Sequence, residues 1–177
     1  MQMKGRHSTI RSWRTADVTA LVKHANNANI ARQLRDRFPH PYTASDARHF
    51  IESVMDARPM TNFAIAVDRE PVGAIGFSPG SDVERYSAEI GYWLAEPFWG
   101  RGIAVEALEL VTAYAFDECN LLRLFALPFA DNDRSTRVLE KAGYAREGLL
   151  RASAVKYGEP RDQALYARIN PRWKGAM

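Results

Sequence analysis

A glycine-rich turn in front of a long apolar segment is the part of this sequence best suited to bind an anion. The turn is Trp99-Gly100-Arg101-Gly102, and apolar spacing predicts a helix from residue 103 to about residue 116. The first N–H groups of a helix have no partner inside it, and the helix dipole adds partial positive charge. Glycine lets a phosphate approach the backbone, and Arg101 adds a full charge. We therefore expect a phosphate or pyrophosphate site here; a tight turn without a ligand is the alternative.

Two well-known nucleotide-binding loops do not fit this turn. A Walker A loop requires Gly-Lys-Ser or Gly-Lys-Thr at a fixed spacing, and no such triplet follows Gly102. The dinucleotide-binding loop of a Rossmann fold would have a third glycine where this chain has Val105. It would also begin a β-α-β unit, whereas the strands predicted before the turn form a hairpin. Both of these loop types are therefore excluded.

The turn must be positioned by a mixed set of helices and strands. Residues 87–94 alternate between apolar and polar side chains, which predicts a strand that ends shortly before the turn. A later helix is predicted to start at Asn132 or Asp133 and to end at Gly143, since glycine commonly follows a helix. Further helices are predicted near residues 15–25 and 45–58, and strands near residues 63–67, 72–77, 122–127, 145–155 and 161–169. This order predicts a mixed α/β domain.

Four short motifs follow one another along the chain at characteristic spacings. They are Glu89-Ile90-Gly91-Tyr92-Trp93-Leu94, Trp99-Gly100-Arg101-Gly102-Ile103-Ala104-Val105-Glu106-Ala107, Asn132-Asp133-Arg134-Ser135 and Leu139-Glu140-Lys141-Ala142-Gly143-Tyr144. A weaker match is Lys156-Tyr157-Gly158, followed by Asp162 and Tyr166. This ordered set resembles the GNAT superfamily of N-acetyltransferases, and within it the branch of ribosomal-protein N-terminal (alanine or serine) acetyltransferases. The first 60 residues match only loosely.

The resemblance implies a fold and a domain organisation. The expected GNAT fold is α/β (α+β), with a central, mixed, mostly antiparallel, twisted sheet of seven strands flanked by about four helices. A splayed strand pair is expected at the cofactor site. We expect one N-acetyltransferase domain over residues 1–177, with an ordered core from about residue 8 to residue 170 behind a basic N-terminal lead-in.

The resemblance also implies that acetyl-CoA is the ligand of the glycine-rich turn, with no metal. Backbone amides of this loop hold the pyrophosphate in the family, which assigns Gly100, Arg101, Gly102, Ile103 and Ala104 to that role. The preceding strand offers backbone groups to the pantetheine arm, and Tyr92, Trp93 and Leu94 match that segment. Asn132 matches an asparagine that contacts the same arm. Asn132 would also be the N-cap of the predicted helix, a role that is compatible with the contact to the pantetheine arm.

Glu89 and Ser135 are the catalytic residues that the resemblance implies. An amine is mostly protonated at pH 7 and must lose a proton before it attacks a thioester, so Glu89 would accept that proton directly or through water. A solvated strand carboxylate is the alternative for Glu89. Ser135 matches a serine near the sulfur of CoA, and it also belongs to the cofactor-binding set. Many members use a tyrosine where this chain has Leu139, so the proton source for the thiolate stays open between Ser135, a water and none.

The expected activity is direct transfer of an acetyl group from acetyl-CoA to a primary amine, above all the α-amine of a protein or peptide. The N-terminal helices, residues 35–42 and the final hairpin are expected to bind the acceptor. Small-molecule amines (amino acids, polyamines or antibiotics) are alternative acceptors, and a non-catalytic acyl-CoA-binding module is an alternative function. Cys119 has no recognisable triad partner, so a packed thiol is expected in place of a nucleophile.

The composition is that of an ordinary globular protein. The 177 residues are 46% hydrophobic and 25% charged, with a net charge of +3 and one cysteine. A single cysteine excludes an internal disulfide, and no secretory pattern or long apolar run is visible, so a cytoplasmic enzyme is expected. The charge is far below that of a nucleic-acid binder, and neither nucleic acid nor a membrane is expected as a partner. A homodimer is left open.

Overall fold

Residues 1–175 are described by the computed structural model, and this part of the chain forms eight strands and five α-helices. The strands are β1 (Gln2–Lys4), β2 (Thr9–Arg11), β3 (Asn62–Val67), β4 (Glu70–Pro79), β5 (Ser87–Leu94), β6 (Arg123–Ala126), β7 (Ala145–Lys156) and β8 (Glu159–Ile169). The helices are α1 (Val18–Ala25), α2 (Ala28–Ala31), α3 (Ala44–Met55), α4 (Ile103–Asp117) and α5 (Asp133–Lys141). The strands form one sheet in the order β1-β2-β3-β4-β5-β6-β8-β7. The pair β5 and β6 is parallel, whereas β1/β2, β2/β3, β3/β4, β6/β8 and β7/β8 are antiparallel. The expected α/β, mixed and mostly antiparallel sheet is confirmed.

The chain divides into two compact units, each with its own buried side chains. The first unit comprises residues 1–76 and 92–107, and the second comprises residues 77–91 and the chain from residue 108 onward. In the first unit, α1 and α3 bury Leu21 and Ile51 around Trp13. In the second unit, α4 and α5 contribute the fully buried Leu108 and Leu139. The strands β4 and β5 and the helix α4 contribute residues to both units.

The described chain has one more strand than the seven expected and one more helix than the four expected. The basic lead-in is a hairpin, because β1 pairs with β2 from Gln2↔Arg11 to Lys4↔Thr9. Strands of three residues are too short to give an alternation pattern in the sequence. The extra helix is α2, whose N-cap Asn27 accepts hydrogen bonds from the N–H groups of Asn29 (2.8 Å) and Ile30 (3.3 Å).

The strand β5 is longer than its pairing with β6. The parallel register runs from Ser87↔Arg123 to Glu89↔Phe125, and the remaining residues of β5, 90–94, lie beyond that described register. At the far end of this segment the chain stays close to β4, since the N–H of Ala95 donates to the carbonyl of Val72 at 2.8 Å. The described pairing therefore stops one residue before β6 itself ends at Ala126, and the splayed strand pair expected from the resemblance stays a prediction.

Candidate active site

The glycine-rich turn has a left-handed backbone at two positions. The φ angles are +76° at Gly100 and +78° at Gly102, values that glycine adopts without strain. Among the described residues, no atom lies within 4 Å of the point that a Cβ on Gly100 would occupy. The helix α4 begins directly after the turn, at the buried Ile103, so the unpaired N–H groups of its first turn follow Gly102. The turn therefore has both the space and the donors that an anion requires.

Side chains of the turn and of the segment before it contact neighbouring residues. The indole N–H of Trp99 donates to the carbonyl oxygen of Leu94 at 2.7 Å, which ties the turn to the end of β5. The guanidinium of Arg101 lies 5.2 Å from the ring centre of Phe98 while the residue remains exposed. Glu96 accepts a hydrogen bond of 2.8 Å from the side-chain amide of Asn27 at the start of α2. The turn and the residues before it are therefore tied to the end of β5 and to the start of α2.

A carboxylate in the first part of α4 binds the tip of the N-terminal hairpin. Glu106 accepts hydrogen bonds from the backbone N–H groups of Arg6, His7 (3.1 Å) and Ser8 (3.0 Å), and from the Ser8 hydroxyl (2.9 Å). Partial burial acts to raise the pKa of Glu106, but these hydrogen bonds outweigh it, and the pKa lies below its ordinary value. Sequence reasoning missed this contact, because the tip residues lie about 100 positions from Glu106 and carry no motif.

The three expected pantetheine contacts lie at the end of β5. Trp93 is half-buried, and its ring meets that of Phe38 edge-on at 5.7 Å beside Tyr42. Its side chain therefore packs against the core of the first unit. Leu94 is buried, and Tyr92 is half-buried. These residues and the glycine-rich turn are all in the first unit.

Glu89 lines a cleft of about 500 Å³ that lies entirely within the second unit. The cleft walls combine apolar and polar side chains: Ser78, Gly80, Glu84, Ser87, Glu89, Arg123, Phe125, Leu127, Leu150 and Leu165. Arg123 is engaged by Glu147 (Nη1–Oε1 2.8 Å), and this hydrogen bond lowers the pKa of Glu147. The half-buried carboxylate of Glu89 thus faces a space large enough for the end of a peptide or a small amine.

Asn132 and Ser135 meet at the start of α5, also in the second unit. Asn132 is the N-cap of the helix, and its side-chain oxygen accepts the N–H of Ser135 at 3.2 Å, which confirms the expected capping role. Ser135 is half-buried one helical turn away. The helix ends as predicted, with Gly143 at a φ of +80°. Leu139, where the resemblance implies a tyrosine in many family members, is fully buried and has no proton to donate.

The side chains of Tyr144 and Tyr166 are hydrogen-bonded to other residues, and the thiol of Cys119 is partly buried. The Tyr144 hydroxyl lies 2.7 Å from that of Thr112, and burial raises the pKa of Tyr144 to about 12. The Tyr166 hydroxyl donates to Glu140 at 2.8 Å. Burial raises the pKa of the Cys119 thiol, so the thiol form persists at neutral pH and is a poor nucleophile.

The described chain has neither a cluster of possible metal ligands nor a helix that could span a membrane. No group of three or more His, Cys, Asp or Glu side chains that could hold a metal ion occurs within residues 1–175. None of the described helices has the length and apolar character needed to cross a membrane.

Comparison with known proteins identifies the family. A family model described as an acetyltransferase (GNAT) domain matches residues 7–145. YoaA, an uncharacterized N-acetyltransferase of Bacillus subtilis (strain 168), is 38% identical over 104 residues, which cover 59% of this chain and 58% of that protein. The ribosomal-protein-serine acetyltransferase of Escherichia coli (strain K12) is 33% identical over 107 residues, 60% of this chain and 59% of that protein. Both alignments span less than two thirds of the relative's length.

A solved structure extends the match over nearly the whole fold. Mycobacterium smegmatis RimJ, in complex with CoA-disulfide, superposes with a TM-score of 0.83 and 25% sequence identity. The match covers 96% of this chain and 85% of that one. The glycine turn before α4, the family model and this structural match lead to one conclusion. The chain belongs to the GNAT family of acetyltransferases.

Proposed function

We propose that the protein transfers an acetyl group from acetyl-CoA directly to a primary amine, namely the α-amine of a protein or peptide. The observation that carries this proposal is the carboxylate of Glu89 in the wall of the 500 Å³ cleft. Membership of an acyltransferase family supports the reaction class. The acceptor class is supported by the name of the E. coli relative, a ribosomal-protein-serine acetyltransferase. Residues 1–177 would act as a single catalytic domain.

The residues of the first unit fit the phosphate and pantetheine parts of the coenzyme. The open space at Gly100 and the left-handed backbone of Gly100 and Gly102 support the proposal that the amides of residues 100–104 bind the pyrophosphate. The exposed Arg101 would add charge, and the backbone of Tyr92, Trp93 and Leu94 would bond the pantetheine amides. In the second unit, the amide nitrogen of Asn132 would donate to the same arm while its oxygen caps α5.

The proposed catalytic steps follow from the chemistry of the Glu89 carboxylate and the Ser135 hydroxyl. Acetyl-CoA supplies a thioester, whose carbon–sulfur bond breaks as the amine nitrogen bonds to the acetyl carbon. Glu89 would accept the proton that the ammonium group of the acceptor must lose, directly or through a water. After the attack the nitrogen loses a second proton, which balances the proton that the departing thiolate takes up. The Ser135 hydroxyl would relay this proton by donating to the sulfur and regaining one from the nitrogen, and a water is the alternative donor. The raised pKa of Cys119 agrees with transfer that uses no acetyl-cysteine.

The experiment compares Glu89→Gln with Glu84→Gln, because both carboxylates line the same cleft and only Glu89 is the proposed base. Thiol release from acetyl-CoA is followed with peptides of varied first residue, and acetyl-CoA affinity is measured by calorimetry. We expect Glu89→Gln to lower kcat by about 100-fold or more with little change in affinity, since a general base contributes about that much. Glu84→Gln should stay within about threefold of the wild type. Near-normal turnover of Glu89→Gln would exclude Glu89 as the base.

A further inference from the structure

The tip of the N-terminal hairpin, residues 5–8, is attached to the very helix whose start we propose binds pyrophosphate. Helical side chains tilt toward the N-terminus of their helix, so Glu106 points back over the turn that precedes α4. There its carboxylate accepts the N–H groups of Arg6, His7 and Ser8, and the Ser8 hydroxyl. Four donors on one carboxylate fix the hairpin tip relative to that turn.

Gly5, the first residue of the tip, shows how closely the backbone approaches the Glu106 carboxylate. A Cβ added to Gly5 would overlap the carboxylate group of Glu106. Only glycine lets the backbone come this near to the side chain. The tip sequence, Gly5-Arg6-His7-Ser8, is therefore fitted to the contact with α4 and is more than a connection between β1 and β2.

The fixed tip places an imidazole beside the glycine-rich turn. A Cβ added to Gly102 would lie 3.8 Å from Cδ2 and 3.9 Å from Nε2 of His7. The His7 side chain is exposed. His7 contacts the Glu106 carboxylate through its backbone N–H and not through its imidazole ring. An imidazole N–H is a good donor to a phosphate oxygen. Arg6, also exposed, adds positive charge to the tip.

We infer that the hairpin tip is part of the coenzyme phosphate site, with His7 donating a hydrogen bond to a phosphate oxygen and Glu106 acting as the positioning residue that holds His7 there. This inference rests on the proposed function, because the phosphate belongs to the coenzyme. CoA carries phosphate in two places, the pyrophosphate and the 3′-phosphate. Both share the chemistry that His7 would recognise.

Calorimetric titration with CoA and dephospho-CoA tests the role of His7. We expect His7→Ala to raise the Kd for CoA about three- to tenfold, as the loss of one charge-assisted hydrogen bond does. His49→Ala is the matched control, since His49 is also exposed but lies on α3. Equal losses with both ligands would assign the contact to the pyrophosphate, and a loss with CoA alone would assign it to the 3′-phosphate. A Kd within twofold of the wild type for both ligands would overturn the inference.

A double-mutant cycle tests the role of Glu106. If Glu106 acts by holding His7, then His7→Ala should have no further effect on the Kd in a Glu106→Ala background. Additive effects would overturn the positioning role. Should Glu106→Ala fail to fold, Glu106→Gln, which removes the charge that strengthens all four hydrogen bonds, takes its place in the cycle. A folded wild type that binds no CoA would overturn the proposed function itself, whereas normal CoA binding with an unaffected His7→Ala variant overturns the inference alone.

Discussion

At the scale of single residues, Asn132 has two roles that two substitutions separate. Its side-chain oxygen caps α5 through the N–H of Ser135, while its side-chain nitrogen is the group proposed to donate to the pantetheine arm. Serine caps a helix about as well as asparagine but lacks the amide donor, and alanine lacks both functions. The sequence predicted the cap from residue type alone. It could not show which way the amide nitrogen is directed, because that depends on the fold around the helix start.

We expect Asn132→Ser to keep the free energy of unfolding within about 0.5 kcal/mol of the wild type, and Asn132→Ala to lose about 1 kcal/mol. Both variants should bind acetyl-CoA about tenfold more weakly, because both lack the amide donor. Urea unfolding and calorimetry provide the two measurements. Wild-type affinity in Asn132→Ser would show that the residue is a helix cap and nothing more.

At the scale of secondary-structure elements, the N-terminal hairpin depends on a charged carboxylate. The hydrogen bonds to Glu106 lower its pKa in the folded protein below the ordinary value of 4.5. A depressed carboxyl pKa stabilises the fold above the ordinary pKa, and that contribution is lost as the pH falls through the depressed value. The attachment of the hairpin to α4 should therefore be strong at neutral pH and weak in acid.

We expect the difference in stability between the wild type and Glu106→Gln to be largest above about pH 5 and to shrink below about pH 4. Protonated Glu106 resembles glutamine, which is neutral and can still accept a hydrogen bond, so the two proteins should converge in acid. Urea unfolding midpoints measured from pH 3 to pH 7 provide the test. Glu109→Gln, an exposed substitution on the same helix, is the control and should show no comparable trend. A difference that is constant across this range would contradict the account.

At the scale of the whole molecule, the sequence predicted the parts whose signal is local. The turn at Gly100 and Gly102, the helix after it and the cap at Asn132 each depend on neighbouring residues, and each is present in the structure. The parts that were missed depend on distant residues. The contact of Glu106 with the hairpin tip joins positions about 100 residues apart, and the cleft around Glu89 is assembled from five separate strands and their loops. No residue pattern in one segment encodes either feature.

The most direct test of the central claim is mass spectrometry of peptides incubated with the protein and acetyl-CoA, with released thiol measured in parallel. The peptides carry varied first residues, and each is paired with a copy whose α-amine is blocked. The account predicts one acetyl group on the α-amine for each thiol released, and no product from the blocked copies. Binding of acetyl-CoA without any acetylated amine, across peptides, amino acids and polyamines, would contradict it and indicate a non-catalytic coenzyme-binding module.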